Sequence, residues 1–256
     1  MRGPLHAARR FADRARAFPP RAVHSGGKGE TVVLLHGLGR TRASLLLMER
    51  VLIRAGYHVV NNSYPSRSAS IDALAEQAVG EALEQASKRG GAVHFVTHSM
   101  GGILLRAWYR DHPPETEGRA VMLAPPYRGS EVINAIKELG LAEAAVGPAG
   151  AELAAGPDGA PAQLPDPPIE FGVIAGDRSV SVMSAFIPGR DDGKVSVAST
   201  MTSGAADHMV LPVTHTFLMN EPMTIWQTSH FLRHGRFDRR KRTAALRRDP
   251  EFLRFS

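Results

Sequence analysis

The chain has 256 residues, of which 43% are hydrophobic and 22% are charged, a composition that supports one large buried core. It contains no cysteine, which excludes disulfide bridges, thiolate metal sites and a cysteine nucleophile. Its apolar runs are far shorter than the roughly 20 residues that a membrane-spanning helix needs. The sequence therefore predicts a globular domain whose chemistry depends on oxygen and nitrogen groups.

The net charge of +6 comes from the two ends of the chain. Residues 1–29 carry seven Lys and Arg against one Asp, and residues 236–256 carry eight against three acidic residues. Residues 30–235 hold 16 basic and 21 acidic side chains. We therefore expect a basic N-terminal arm, a mildly acidic body and a basic C-terminal tail. Such arms favour weak contact with an anionic surface, and nothing in the pattern indicates a specific nucleic-acid groove. Tails that only increase solubility are the simpler interpretation.

The N-terminal residues are rich in Arg and Ala and lack the apolar stretch of a secretory signal, so the cytoplasm is the expected location. The sequence leaves the oligomeric state open.

Short apolar runs alternate with helix-length segments along residues 30–235. The runs are rich in β-branched residues, as in strands buried on both faces, and the longer segments have apolar residues three and four positions apart. This alternation predicts an α/β fold with a doubly wound, mainly parallel sheet and helices on both faces. The predicted strands are residues 31–35, 58–61, 93–97, 119–123, 171–175 and 209–213, and the predicted helices are residues 45–53, 70–89, 100–110 and 131–139, with a terminal helix after the last strand.

Residues 131–168 interrupt the alternation. After the predicted helix 131–139, residues 140–168 contain five glycines and six prolines with few large apolar residues between them. We interpret this composition as excluding regular core. A long irregular stretch inside a compact domain is often functional, so we predict a lid insertion here.

A serine stands where strand 93–97 meets the following helix, in the sequence THSMGG at residues 97–102. A serine at such a turn presents its hydroxyl above the sheet, at the positive end of the helix, where an oxyanion is stabilised. The segment resembles the G-x-S-x-G nucleophile elbow of the α/β-hydrolase fold, with Thr97 in place of the first glycine. The resemblance implies that Ser99 is the nucleophile; a helix-capping serine is the alternative interpretation.

The sequence HGLG at residues 36–39 directly follows the first predicted strand. It resembles the H-G oxyanion loop of lipases and esterases, in which glycine permits a tight turn that directs backbone N–H groups at the developing oxyanion. The resemblance implies that the backbone N–H groups of Leu38 and Met100 are the two donors.

His215 is the candidate general base. The α/β-hydrolase order of nucleophile, acid and histidine places the base late in the chain, and His215 follows the predicted strand 209–213. His208 is the competing histidine, but it precedes that strand and therefore belongs to the opposite edge of the sheet. A structural role for His215 is the alternative interpretation.

The acid has three candidates, Asp177, Asp191 and Asp192, which all follow the predicted strand 171–175. The sequence DGKV at residues 192–195 resembles the D-G-x-V stretch that bears the acid in several bacterial lipases, so Asp192 is favoured. Only a carboxylate in contact with the imidazole can fix its tautomer and stabilise the imidazolium.

Together these motifs resemble bacterial lipases and esterases of the α/β-hydrolase superfamily over residues 31–235. The resemblance implies hydrolysis of a small-molecule or lipid carboxylic ester through an acyl-enzyme, with no metal and no organic cofactor. An acyltransferase or amidase with the same triad is an alternative, as is a non-catalytic module that binds lipid or nucleic acid through its arms.

Overall fold

The computed structural model describes residues 29–115 and 117–240. Six parallel strands form one sheet in the order β2-β1-β3-β4-β5-β6, which confirms the predicted α/β class and its mainly parallel sheet. The predicted surface contacts of the basic arms fall mainly on residues 1–28 and 241–256, outside the described residues. The strands are β1 Thr31–Leu35, β2 His58–Asn61, β3 Val93–His98, β4 Arg119–Leu123, β5 Glu170–Gly176 and β6 Asp207–Leu211.

Helices connect successive strands as far as β5, and two 3-10 turns lie between β5 and β6. The predicted helix 70–89 is interrupted by a π-helical turn, Glu76–Gly80, at which Gly80 lies against the indole of Trp108. No described helix combines the length and the apolar character that crossing a bilayer requires. The helices are α1 Leu46–Arg54, α2 Ile71–Ala75, α3 Glu81–Ser87, α4 Met100–Asp111, α5 Glu131–Glu138, α6 Ala142–Glu152, α7 Ala160–Gln163 and α8 Pro222–His234, with 3-10 turns at Arg42–Leu45, Val182–Phe186, Ala198–Thr200 and Leu218–Asn220.

The core has two layers because side chains alternate across the sheet. Val33 and Phe95 pack on one face, with residues of α2, α3 and α4. Val32 and Val96 pack on the other, with residues of α1 and α8. All four are fully buried, and each such side chain stabilises the fold by about 1.5–3 kcal/mol. Burial on both faces explains why these strands have continuous apolar sequences.

The strand order places a topological switch point between β1 and β3. From β1 the chain leaves through α1 to β2 on one side, whereas from β3 it leaves through α4 to β4 on the other. The loops after two adjacent parallel strands therefore diverge, which is the arrangement at which open α/β sheets form their ligand-binding crevices. The HGLG loop and Ser99 lie at the carboxyl ends of these two strands.

Helix α4 approaches β1 closely at Gly101. A Cβ atom there would lie 2.5 Å from the carbonyl oxygen of Leu35 and 2.9 Å from that of His36. Because backbone atoms cannot move aside cheaply, we expect Gly101→Ala to lower the free energy of unfolding by roughly 1–3 kcal/mol. Urea denaturation measures the change. An unaltered unfolding midpoint would show that the helix is free to shift away from the strand.

The segment 140–168 differs from its prediction. Helices α6 and α7 lie within it, and α6 bends at Gly147, which has a φ of 74° and precedes Pro148. Ala149 and Leu153 are buried in the core. The prediction that this composition excludes regular core was wrong, because small residues let a helix pack by close approach: a Cβ on Gly147 would lie 2.1 Å from the carbonyl oxygen of Arg67. A lid function for the segment stays a prediction.

The folded body also extends beyond the predicted domain end at residue 235. Phe237 is buried, and its N–H donates to the carboxylate of Asp207 at 2.9 Å. The guanidinium of Arg239 pairs with the same carboxylate at 2.5 Å. Phe237 and Arg239, which belong to the predicted basic tail, therefore pack against the start of β6.

Candidate active site

Ser99 occupies a strained turn between β3 and α4. Its φ of 53° and ψ of −122° make it one of only two non-glycine residues with positive φ among residues 29–115 and 117–240. Such a conformation costs of order 1–3 kcal/mol and persists where the surroundings enforce it. Here the Ser99 N–H donates to the carbonyl of Leu123 at the end of β4, at 2.8 Å. The turn holds a half-buried serine at the carboxyl edge of the sheet.

The HGLG loop packs directly against this turn. Leu35 and Thr97 are register partners in β1 and β3, so the two loops leave the sheet side by side. A Cβ on Gly37 would lie 3.2 Å from the Cβ of Ser99 and 2.9 Å from Nδ1 of His98. Glycine at position 37 therefore permits the contact between the loop and the serine.

The predicted oxyanion donors lie on these two loops. Leu38 stands in a turn that the Arg40 N–H closes by donating to the Gly37 carbonyl at 3.2 Å, with Gly39 at a φ of 64°. Met100 is the first residue of α4, where a backbone N–H has no acceptor within its own helix. Both N–H groups thus belong to backbone beside Ser99.

Residues after β2 hold the HGLG loop in place. The Tyr64 hydroxyl donates to the carbonyl of His36, and the Tyr64 N–H donates to Nε2 of His36 at 3.2 Å. The two rings stack with centroids 3.9 Å apart. Burial lowers the pKa of His36, which favours the neutral ring that can accept at Nε2. Sequence analysis missed Tyr64; the available signal was a polar aromatic residue at the carboxyl end of a strand.

His215 and Asp192 form a buried pair. Nδ1 of His215 lies 2.7 Å from Oδ2 of Asp192, and the two residues are 4% and 2% exposed. The backbone N–H of His215 also donates to the backbone carbonyl of Asp192 at 2.9 Å. The other carboxylate oxygen accepts the N–H groups of Lys194 at 3.0 Å and Val195 at 2.9 Å. The pair can keep the proton on Nδ1 and leave Nε2 as a proton acceptor.

The other two candidate acids have different partners. Asp177 is ion-paired with Arg190. Asp191 accepts hydrogen bonds from the Ser184 hydroxyl at 2.6 Å and the Gly193 N–H at 2.7 Å, so it shapes the loop that carries Asp192. Of the three carboxylates, the one that contacts the His215 imidazole is Asp192.

His98, to which sequence analysis gave no role, links the serine turn to His215. Its Nε2 lies 3.1 Å from the His215 carbonyl, and the two rings are 4.8 Å apart. Burial, together with the nearby His215, holds the pKa of His98 well below its usual value, so the ring is neutral and can donate from Nε2. Because Ser99 is the next residue, this bond brings the backbone of His215 close to the serine turn.

His208 lies elsewhere in the sheet. Strand β6 begins two residues earlier than predicted, so His208 is inside the strand and not before it. Its Nε2 lies 2.9 Å from Oγ1 of Thr200. It remains near the amino end of β6, the opposite edge from Ser99. In the described part of the chain, no three His, Asp or Glu side chains are grouped closely enough to hold a metal ion.

A model of the alpha/beta hydrolase family matches residues 32–252. The chain belongs to this family. The superfamily expected from the elbow, oxyanion-loop and D-G-x-V motifs is therefore confirmed, and the six-stranded parallel sheet is consistent with it. No curated protein shows significant similarity to the chain.

Solved structures of other hydrolases share the fold. The mature form of Bacillus licheniformis lipase BlEst2 is 17% identical with a TM-score of 0.64, over 84% of this chain and 97% of that one. A thermophilic esterase from Thermogutta terrifontis is 15% identical with a TM-score of 0.54, over 82% and 91% of the two chains. A metagenomic carboxyl esterase is 18% identical with a TM-score of 0.54, over 76% and 68%. At these identities the likeness shows the fold alone.

Proposed function

We propose that this alpha/beta hydrolase cleaves carboxylic esters through an acyl-enzyme on Ser99, with His215 as the general base and Asp192 as the residue that orients it. The observation that carries the proposal is the buried Asp192–His215 pair, which His98 links to the strained serine turn. Nucleophile, acid and histidine also follow one another in the chain order of this fold.

In the proposed mechanism, Nε2 of His215 removes the proton from Oγ of Ser99 as that oxygen attacks the ester carbonyl carbon. The backbone N–H groups of Leu38 and Met100 donate to the oxyanion that forms. Collapse of the tetrahedral intermediate breaks the ester C–O bond, and His215 passes its proton to the departing alcohol. Water, deprotonated by the same imidazole, then releases the acid and restores the serine. Asp192 stabilises the imidazolium in both steps.

The choice of an ester rests on analogy with the lipase and esterases of the same fold. We also propose that residues 131–168 act as a lid. A Cβ on Gly150, in α6, would lie 3.0 Å from Cδ2 of Leu38, so this segment reaches the proposed oxyanion loop. Movement of α6 would therefore change the environment of the carbonyl that is attacked.

A fluorophosphonate probe tests the proposal. We expect Oγ of Ser99 to displace fluoride from phosphorus, and peptide mass spectrometry to find the phosphonyl group on that serine of the native protein. Labelling should become far slower in His215→Ala and should be absent after denaturation, because the nucleophile needs its base. A label on another serine, or an unlabelled folded protein, would refute the proposal. Adding an alcohol during ester turnover separates a hydrolase, which forms acid, from an acyltransferase, which forms a new ester.

A further inference from the structure

Two cationic residues, Arg40 and Lys194, lie on the loops that frame the proposed site. The Arg40 N–H donates to the carbonyl of Gly37, the residue that packs against Ser99. The Lys194 N–H donates to the carboxylate of Asp192, which in turn holds His215. The backbone of each is therefore one hydrogen bond away from a residue that contacts the proposed machinery.

Neither cation has a carboxylate ion-pair partner within the described ranges 29–115 and 117–240. Asp192 is close to Lys194, but its two oxygens are already engaged by the imidazole and by two backbone N–H groups. On the same two loops, Arg42 lies 3.7 Å from Glu49 and Arg190 binds Asp177, so these two cations are paired. Each of the two loops therefore carries one cation that has no carboxylate partner among the described residues.

The two positive charges act on the same region of the molecule. Burial, and then the charge of Arg40, lowers the pKa of Lys194, while Asp192 opposes the shift. Both cations also contribute to the lowered pKa of His98. An anion that binds between two positive charges attracts both of them and offsets their mutual repulsion. A guanidinium and an ammonium are also the groups that proteins use to bind carboxylate and phosphate oxygens.

We infer that Arg40 and Lys194 together bind an anionic group, a carboxylate or a phosphate, on the substrate, so that this hydrolase acts on anionic esters. The inference rests on the proposed function for the position of the scissile bond and adds the charge of the substrate. The bound anion would lie beside the ester, between the oxyanion loop and the loop that carries the acid.

Matched pairs of substrates test the inference. The carboxylate arm compares 3-carboxy-4-nitrophenyl butyrate with 4-nitrophenyl butyrate, and the phosphate arm compares 1-oleoylglycerol 3-phosphate with 1-oleoylglycerol. In at least one arm, we expect Arg40→Gln combined with Lys194→Gln to lower the anionic-to-neutral ratio of kcat/KM by about tenfold to a hundredfold, as for the loss of charged hydrogen bonds. Arg42→Gln, which removes an ion-paired cation from the same loop, should leave the ratio unchanged.

The arm in which the ratio falls identifies the anion. Ratios that do not respond to the double substitution in either arm would overturn the inference. Calorimetric binding of the same four esters to Ser99→Ala separates the inference from the proposed function, because binding needs no turnover. Tighter binding of an anionic ester that disappears with the two cations would support the anion site even if no ester were hydrolysed. Ester hydrolysis without any such preference would support the proposed function alone.

Discussion

Ser99→Ala is expected to reduce kcat for 4-nitrophenyl butyrate by about 10⁴-fold or more, because no other group can take over the attack and the acyl-enzyme cannot form. The loss should appear in kcat and not mainly in KM, since the backbone of the proposed oxyanion loop is left intact. Long assays with the enzyme at micromolar concentration measure the residual rate of hydrolysis, which is compared with the rate of the uncatalysed reaction.

Stability and a matched serine provide the controls for this substitution. Alanine and serine both carry a Cβ, so the backbone strain of the positive φ at position 99 is the same for either residue. The thermal unfolding midpoint should therefore change little. Ser87→Ala removes a surface hydroxyl at the end of α3 and should leave turnover unchanged. Activity that survives in Ser99→Ala would place the nucleophile on another residue.

Asp192→Asn is expected to lower kcat/KM by about 10³–10⁴-fold while keeping the loop folded. The asparagine carbonyl oxygen can still accept the N–H groups of Lys194 and Val195, which places the amide nitrogen against Nδ1 of His215. An NH₂ group there favours the tautomer with its proton on Nε2, the atom that must receive the serine proton. The imidazolium also loses its counter-charge.

Asp177→Asn is the control for the identity of the acid. Like Asp192, Asp177 comes after β5, but it pairs with Arg190 on the surface. Its substitution should therefore change kcat/KM by less than about threefold. The pair of variants distinguishes the two carboxylates in one assay. Equal losses in both, or a loss in Asp177→Asn alone, would contradict the assignment of Asp192.

The closeness of the serine turn and the HGLG loop follows from chain topology. Strands β1 and β3 are neighbours although β2 lies between them in sequence, and their loops leave in opposite directions. Sequence patterns predicted each strand, but not that these two would adjoin. The structure supplies the contact that matters: Gly37 against Ser99.

The lid segment shows where reasoning from composition failed. Its prolines and glycines suggested irregular backbone, and the scarcity of large apolar residues suggested that little of it would be buried. Yet Ala149 and Leu153 lie in the core, because glycines such as Gly147 allow close backbone contact. The number of large apolar residues measures only side-chain volume, whereas packing also depends on how closely two backbones can approach each other.

Local patterns in the sequence were sufficient to predict the strands, the helices outside residues 140–168, the sharp turn at Ser99 and the choice of candidate acids, because periodicity, glycine and strand ends act over a few residues. Only the tertiary structure decided that Asp192 contacts His215, that His98 links this pair to the serine, and that Tyr64 supports the HGLG loop. These contacts join residues that are 23 to 117 positions apart in the chain. Strand order and loop packing determine them, and no local pattern encodes either.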